Sequence, residues 1–392
     1  MIKINEKTDC CGCTACANSC PVQCIEIQQD EEGFLYPNVN EIKCINCGTC
    51  ENVCPVKKDT PSGDIIDAYV VQDIRKNIRE SSSSGGGFTA IAEFIISNNG
   101  TVYGAAFDEN YSVHHVGVRT FEELSRFRGS KYVQSTMDSV YLQIQNKLSI
   151  GEWVLFSGTP CQVSGLKSYL KKEWDKLITV DIACHGVPSP KLWEKYKEWW
   201  RKYKKCNFIK VEFRSKKYGY SGSTMRLMFE NGSEYSREPL LQFYKNTMFA
   251  GLSMRPSCHK CHFKSKKRVS DFTIFDCWDV NEFCPEMDDD RGTTALIIQS
   301  EKGKRLISII SKNWKMKSVN PEKLICNDGD MITTSASANP LRNQFFVDLD
   351  AMTIPELNKK YFPLTIKKKL TQIFKPLFYR MGILKKIKRI AK

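Results

Sequence analysis

What this chain lacks narrows it first. No apolar run among its 392 residues approaches the length of a membrane-spanning helix, so none is expected to cross a bilayer. No signal segment is recognisable at the N-terminus. Together with many unpaired-looking cysteines, that points to a reducing cytoplasm, where disulfides are not expected. Acidic residues are absent from Leu357 to Lys392, a stretch holding 12 Lys and Arg. That absence locates the formal net charge of +14, because the rest of the chain sets 46 basic residues against 44 acidic ones. The body is near neutral and the basic character belongs to the tail, so no nucleic-acid partner is expected. The chain also contains neither a GxGxxG fingerprint nor a P-loop.

Cysteine is plentiful and unevenly spread: ten of 18 lie before residue 55. Two runs, Cys10-Cys11-Gly12-Cys13-Thr14-Ala15-Cys16-Ala17-Asn18-Ser19-Cys20-Pro21 and Cys44-Ile45-Asn46-Cys47-Gly48-Thr49-Cys50-Glu51-Asn52-Val53-Cys54-Pro55, each read C-x2-C-x2-C-x3-C-P and repeat with an offset of 34 residues. This is the bacterial two-cluster ferredoxin pattern, in which three cysteines of a run bind one [4Fe–4S] cluster and the fourth reaches the other. Cluster one is expected on Cys10, Cys13, Cys16 and Cys54, and cluster two on Cys44, Cys47, Cys50 and Cys20. Structural zinc would read as separated C-x2-C pairs, which fits uninterrupted runs of four poorly. Cys11 and Cys24 stand outside the ligand pattern and read as small packing residues.

Residues 1–60 thus form a first module, with short strands near Cys24–Ile27 and Phe34–Tyr36. A body over 64–350 follows. Strands are expected at Ala68–Val71, Gly100–Phe107, Trp153–Phe156, Leu177–Ala183, Lys210–Arg214, Met225–Phe229 and Thr294–Ile298, with another ending in the acidic and aromatic stretch Phe272–Asp279, and with helices after Ser81–Gly87 and after Cys161. Strand, turn, helix, strand is α/β grammar. It puts Cys161 and Cys184 at the carboxyl ends of strands, where open α/β sheets bind ligands. The Ser81–Gly87 loop opening onto a helix suits a phosphate or serves as a flexible linker; its spacing does not choose. His114 and His115 lie in an alternating apolar stretch and read as structural. The single Cys258-x2-Cys261 pair is open between zinc, a redox pair and half a cluster site. After Asn339-Pro340 the globular pattern is expected to fade. A helical basic amphipathic tail over 355–392, interrupted at Pro376 and Gly382, is suited to an anionic membrane surface or to a partner protein.

Six motifs in order carry a family resemblance: Ser84-Gly85-Gly86; Gly129-Ser130-Lys131-Tyr132; Ser157-Gly158-Thr159-Pro160-Cys161-Gln162; Cys184-His185-Gly186-Val187-Pro188-Ser189-Pro190; Arg255-Pro256-Ser257-Cys258 with Cys261; and Ser270-Asp271-Phe272-Thr273. With the cysteine runs, the chain resembles the coenzyme F-420 hydrogenase/dehydrogenase beta-subunit family, in its form fused to a two-cluster ferredoxin module. The resemblance implies an α+β ferredoxin-like module followed by an α/β flavin-binding body. It implies a third [4Fe–4S] cluster on Cys161, Cys184, Cys258 and Cys261, with four-thiolate zinc as the alternative. It also implies FAD near Ser84, Gly85, Gly86, Lys131, Asp271 and Asp276. One stretch departs from the family's Gly-Asp-Phe-Trp-Gly-like pattern: Phe275 and Asp279 stand where glycines are usual. The implied function is an oxidoreductase relaying electrons between ferredoxin-type clusters and a flavin. The flavin would exchange a hydride with coenzyme F-420 or another two-electron acceptor, with ferredoxin as redox partner and surface-polysaccharide metabolism as one setting. The rival reading is a non-catalytic electron-transfer subunit of a larger redox complex. The expected location is the cytoplasm, or the inner face of the membrane through the tail. His185 and Lys131 are the candidates for a proton-transfer role.

Overall fold

The computed structural model describes residues 1–58, 60–382 and Leu384. Near the N-terminus, strands β1 (Ile25–Gln29) and β2 (Leu35–Val39) form an antiparallel hairpin, with Ile25 opposite Val39. Two helical turns, Ala15–Asn18 and Thr49–Asn52, flank it. The 34-residue repeat recurs in the backbone. Gly12 and Asn46 have φ of +74° and +51°, and Thr14 and Gly48 have φ of +63° and +71°. Each C-x2-C-x2-C run thus visits the left-handed region twice, a shape that turns successive N–H groups towards one concavity.

The body holds β3 (Asp67–Asp73), β4 (Thr101–Phe107), β5 (Val113–Val118), β6 (Ser135–Thr136), β7 (Val154–Gly158), β8 (Leu177–Ile182), β9 (Phe208–Ser215), β10 (Thr224–Phe229), β11 (Glu234–Tyr235), β12 (Phe272–Asp276), β13 (Thr294–Ile298) and β14 (Trp314–Ser318). Nine of them form one mixed sheet in the order β14-β3-β13-β12-β8-β7-β4-β5-β6. The run β4, β7, β8, β12 is parallel, and β13, β3 and β14 continue it in antiparallel register. Alternate residues face opposite sides, so Leu155 and Val180 meet the helices Gly87–Ser97 and Glu301–Ile310, while Phe156 and Leu177 meet Val140–Ser149 and Pro160–Leu170. Both faces are covered, which is why these strands read as continuous apolar runs.

A second layer pairs the sheet β11-β10-β9 with the helix Pro190–Lys204 around an aromatic core. There Trp193 packs on Tyr244 with ring centroids 4.9 Å apart, and Phe34 of the N-terminal module is fully buried in the same core. The module is therefore docked on the body. Arg342 pairs with Glu32, Ser189 Oγ donates to Glu32 O at 2.5 Å, and Asn18 Nδ2 donates to Asp138 O at 2.9 Å.

The structure corrects two expectations about the C-terminal part. The globular pattern does not fade after Pro340: the helices Arg342–Ala351 and Ile354–Tyr361 bury Phe345, Leu349, Ile354 and Leu357 completely. Their short apolar faces are interleaved with charges whose partners are tertiary, such as Asp348 with Lys360 and Tyr361. The boundary expected near residue 355 thus lies inside packed core. The helix Ile366–Arg380 runs through Pro376 without interruption and ends before Gly382, whose φ is +68°. It keeps Ile366, Leu370, Ile373, Phe374 and Leu377 exposed, while Lys375 lies 5.2 Å over the Tyr218 ring. Ile383 and residues 385–392, the end of the expected basic tail, lie outside the described residues. Among the described residues, no helix is long and apolar enough to cross a membrane.

His115 plays the structural part expected of it. It is buried on β5, its Nδ1 is 2.7 Å from Ser135 Oγ, and its Nε2 is 3.0 Å from Ser157 O. Burial pushes its pKa from 6.5 down to about 4. Between those values the unfolded chain binds the extra proton, so stability is complete above pH 6.5 and falls as pH drops towards 4. Anaerobic denaturant titrations at pH 7.5 and 5.5 should show the wild type losing roughly 1 kcal/mol more than His115→Gln. Equal losses would contradict this account.

Candidate functional site

The carboxyl ends of the parallel strands share one edge of the sheet, and most of the candidate residues gather there. Helix Pro160–Leu170 starts just beyond β7. Thr159 caps it, its N–H donating to the Gln162 side-chain oxygen at 2.9 Å, and Pro160 takes the first helical position. This sets Cys161 in the first turn, where the helix dipole favours a thiolate, with its Sγ 3.0 Å from Thr159 Oγ1.

Cys184 follows β8 by two residues. The chain after it pairs with the Arg255-Pro256-Ser257-Cys258 segment through the bridge Pro188–Met254, and Arg255 N donates to Val187 O at 2.9 Å. Gly186 permits that approach: a Cβ there would meet Met254 Sδ at 2.5 Å and Cys258 Cβ at 3.2 Å. Two motifs 70 residues apart are thereby brought together, with Cys261 held by the bond from its N–H to Ser335 Oγ at 3.0 Å.

Three cavities result, each walled by cysteines. The largest, of about 270 Å³, is lined by Cys161, Cys184, Cys258 and Cys261. The second, about 20 Å³, is lined by Cys10, Cys13, Cys16 and Cys54. The third, about 10 Å³, is lined by Cys20, Cys44, Cys47 and Cys50. Each N-terminal run thus contributes three thiols to one cavity and its fourth to the other. Every cysteine is a free thiol.

The donor sets fit clusters. A tetrahedral zinc needs its sulfurs within about 4 Å of one another, as Zn–S bonds of about 2.3 Å require. Thiols spread around a cavity suit a cube, whose irons keep the thiolates apart. Several of these thiols resist ionising alone. Burial drives Cys16 and Cys258 up to about 12, and neighbouring thiols add to it. Cys161 is raised first by its bond to Cys11 and then by burial. Four such groups become thiolates together with a metal cation between them. His185 Nε2, buried without a partner beside the largest cavity, offers a donor towards sulfide.

Two residues read from sequence as packing have a larger place. Cys11 lines both the first-run cavity and the body cavity, as do Asp9 and Val56, so these residues are a shared wall. Cys24 Sγ lies 3.4 Å from Cys20 Sγ and lines the third cavity. The local pattern carried no signal for either, because spacing within a run says nothing of what packs against it.

The flavin candidates divide. Ser84, Gly85 and Gly86 lie beside the end of β12. Ser84 Oγ and Gly85 N are 2.7 and 2.9 Å from Thr294 Oγ1, and Gly86, at φ +87°, caps the helix Gly87–Ser97. Gly85 is required by packing, since a Cβ would meet Val71 O at 2.4 Å. The loop is no free linker: Ser83 Oγ receives a bond from Ser130 N at 2.7 Å, which brings Lys131 to it. Lys131 lies over the Phe107 ring at 5.7 Å and donates to Gly129 O at 3.2 Å; burial lowers it to about 8. Lys216, not singled out from sequence, donates to Ser84 O, Arg79 O and Arg291 O, and burial brings it to about 7. Asp276 pairs with Arg214 and accepts from Tyr220 OH at 2.8 Å; Tyr220 stacks on Trp278 at 4.3 Å. Arg214 Nη2 is buried without a partner. Half-buried cations held by neutral carbonyls beside a helix N-terminus fit an anionic diphosphate.

Asp271 does not join this group. It precedes β12, at the opposite edge from Asp276, and its carboxylate accepts from Thr179 N at 2.7 Å and from Ser300 Oγ at 2.5 Å. It ties β8 and the helix Glu301–Ile310 to β12. Phe275 is buried in the core on one face of the sheet with Val70, Ile297 and Leu324, so it does not project into the ligand edge.

Comparisons with known proteins agree with the two parts of the molecule. Residues 9–58 match the 4Fe-4S dicluster domain. Residues 151–323 match the family described as the C terminus of the coenzyme F420 hydrogenase/dehydrogenase beta subunit. No curated protein matches the chain significantly. Among solved structures, a xenon-derivatised F420-reducing [NiFe] hydrogenase complex from Methanosarcina barkeri aligns at 15% identity, covering 77% of this chain and 93% of that one, with a TM-score of 0.46. A likeness that remote carries no residue-level argument. The chain is an iron–sulfur redox protein that joins a two-cluster 4Fe–4S domain to a C-terminal domain of the coenzyme F420 hydrogenase/dehydrogenase beta-subunit family.

Proposed function

We propose that the protein is an iron–sulfur flavoprotein oxidoreductase that exchanges electrons with a ferredoxin-type partner and passes them to a two-electron acceptor such as coenzyme F-420. The observation that carries this reading is the shared wall of Asp9, Cys11 and Val56 between the first-run cavity and the body cavity. It makes the dicluster domain continuous with the sheet edge where the half-buried cations lie. Cys161, Cys184, Cys258 and Cys261 would hold a third [4Fe–4S] cluster, a one-electron carrier. Ser84, Gly85, Gly86, Lys131 and Lys216 would hold the diphosphate of FAD, which collects single electrons and gives two as a hydride. The chain's own contribution is exclusion of water and placement of charge. Lys131 and Lys216 are desolvated, so an anion gains more from them than from exposed lysines. The helix Gly87–Ser97 adds its positive end.

One observation favours the rival reading, an electron-transfer subunit whose partner does the chemistry. Asp276 is already satisfied by Arg214 and Tyr220, and Trp278 stacks on Tyr220 at the same edge. Anaerobically purified protein separates the two. Flavin released by acid supports the oxidoreductase reading, and Lys216→Ala should then release at least tenfold less at equal protein. Iron–sulfur absorbance with no releasable flavin selects the electron-transfer reading.

The third cluster is tested by iron content. About twelve irons per chain are expected, falling to about eight in Cys258→Ser. Wild type at about eight would remove that cluster.

The exposed apolar face of Ile366–Arg380 and the basic tail together suit an anionic lipid surface. A chain ending at Pro363, which keeps Leu357 and Tyr361, should lose co-sedimentation with phosphatidylserine vesicles. Equal binding with and without the tail would refute the membrane contact.

A further inference from the structure

A cation without an anion lies between the two halves of the redox centre. Arg255 is 1% exposed. Its Nε donates to Cys10 O at 2.9 Å, and its guanidinium lies 4.1 Å from the centroid of the Tyr36 ring. Both terminal nitrogens, Nη1 and Nη2, are buried with no partner among the described residues. The Cys10–Cys13 loop rests directly on them. A Cβ on Gly12 would lie 3.0 Å from Arg255 Nη1 and 2.8 Å from Gln134 Nε2, and Gly12 has φ +74°. The ionisable groups that act on this guanidinium most strongly are thiols and a phenol: Cys10, Tyr36, Cys11 and Cys258.

Taking a guanidinium out of water without a counter-charge is costly. A ring face and one carbonyl offset it only in part. The side that is left open is the side of the cysteines. A [4Fe–4S] cluster bound by four thiolates is an anion, and one-electron reduction adds a further negative charge. A fixed cation nearby stabilises the reduced form more than the oxidised form. Around the other N-terminal cavity the amino terminus and Lys57 both pair with the carboxylate of Glu51, at 3.5 and 2.9 Å.

We infer that Arg255 is the counter-charge of the cluster held by Cys10, Cys13, Cys16 and Cys54, and that it raises this cluster's reduction potential. An electron on the outer cluster, held by Cys20, Cys44, Cys47 and Cys50, is thereby drawn inward. The outer cluster is oxidised by one electron, the inner one is reduced by one, and no proton moves. The inference rests on the ligand assignment above, and its test keeps the two apart.

The experiment is an EPR-monitored redox titration of the full-length, anaerobically purified protein, with iron measured on the same samples. Arg255→Gln at full iron should shift the midpoint of one cluster downward by at least tenfold in its reduction equilibrium, about 59 mV for one electron. Arg255→Lys should restore most of that shift. Gln134→Glu is a second route to the same end: it sets a carboxylate beside the guanidinium and keeps the oxygen that accepts Leu35 N at 3.3 Å. It should lower the same midpoint, even if Arg255→Gln fails to load iron. Unchanged midpoints in Gln134→Glu and in iron-replete Arg255→Gln would overturn the inference and leave Arg255 a tie between module and body. Cys54→Ser should perturb the signal that these variants shift. If it perturbs a different one, the ligand assignment fails while the electrostatic effect of Arg255 stands.

Discussion

The structure depends on one constraint: twelve thiols face three cavities, and burial keeps several of them from ionising unless a cation arrives. Cys16 and Cys258 show this plainly, each held up near 12 by desolvation and by other thiols. Metal binding and folding are therefore coupled here, as in small metal-built domains generally. The hydrophobic core beneath the N-terminal module is small, with Ile2, Cys24, Ile25 and Cys50 at its centre. What the module lacks in core it draws from the body through Phe34 and the Arg342–Glu32 pair.

The mixed sheet supplies the second condition. Parallel strands β4, β7, β8 and β12 end on one edge, so residues far apart in the chain emerge side by side. Cys161 and Cys184 emerge there with Asp276, and the loops carrying Ser84 and Lys131 fold back onto it. The antiparallel continuation through β13 and β3 brings Thr294 and Gly85 to the same place. Charge follows position. Arg255 is buried and Lys131, Lys216 and Arg214 are half-buried near this edge, where anionic groups would be bound.

Legibility varied with how local the physics was. The central strands, such as Trp153–Phe156, Leu177–Ala183 and Thr294–Ile298, were readable because they are apolar on both faces and bounded by turn residues. The grouping of the N-terminal thiols was readable because three ligands of each set lie on one loop. Asp271 was not. A motif aspartate near the ligand-binding stretch looks the same whether it precedes or follows its strand's site edge, and here its carboxylate braces Thr179 and Ser300. Lys216 was missed because a lysine in a polar loop gives no sign that three carbonyls will enclose it. The helices Arg342–Ala351 and Ile354–Tyr361 were missed because their stabilising partners, among them Glu32, lie hundreds of residues away.

By itself the sequence determined the two cysteine runs, their repeat, the apolar runs that build the main sheet and the near-neutral body with its basic tail. Each is a property of neighbours along the chain, and backbone geometry converts such spacing into shape directly. Tertiary structure alone decided that Cys11 is a wall common to two cavities, that Arg255 is buried beside Cys10 without an acid, and that Asp271 belongs to the other edge. These depend on which surfaces meet when sheet, helices and module close on one another, and that choice is made by packing across the whole chain.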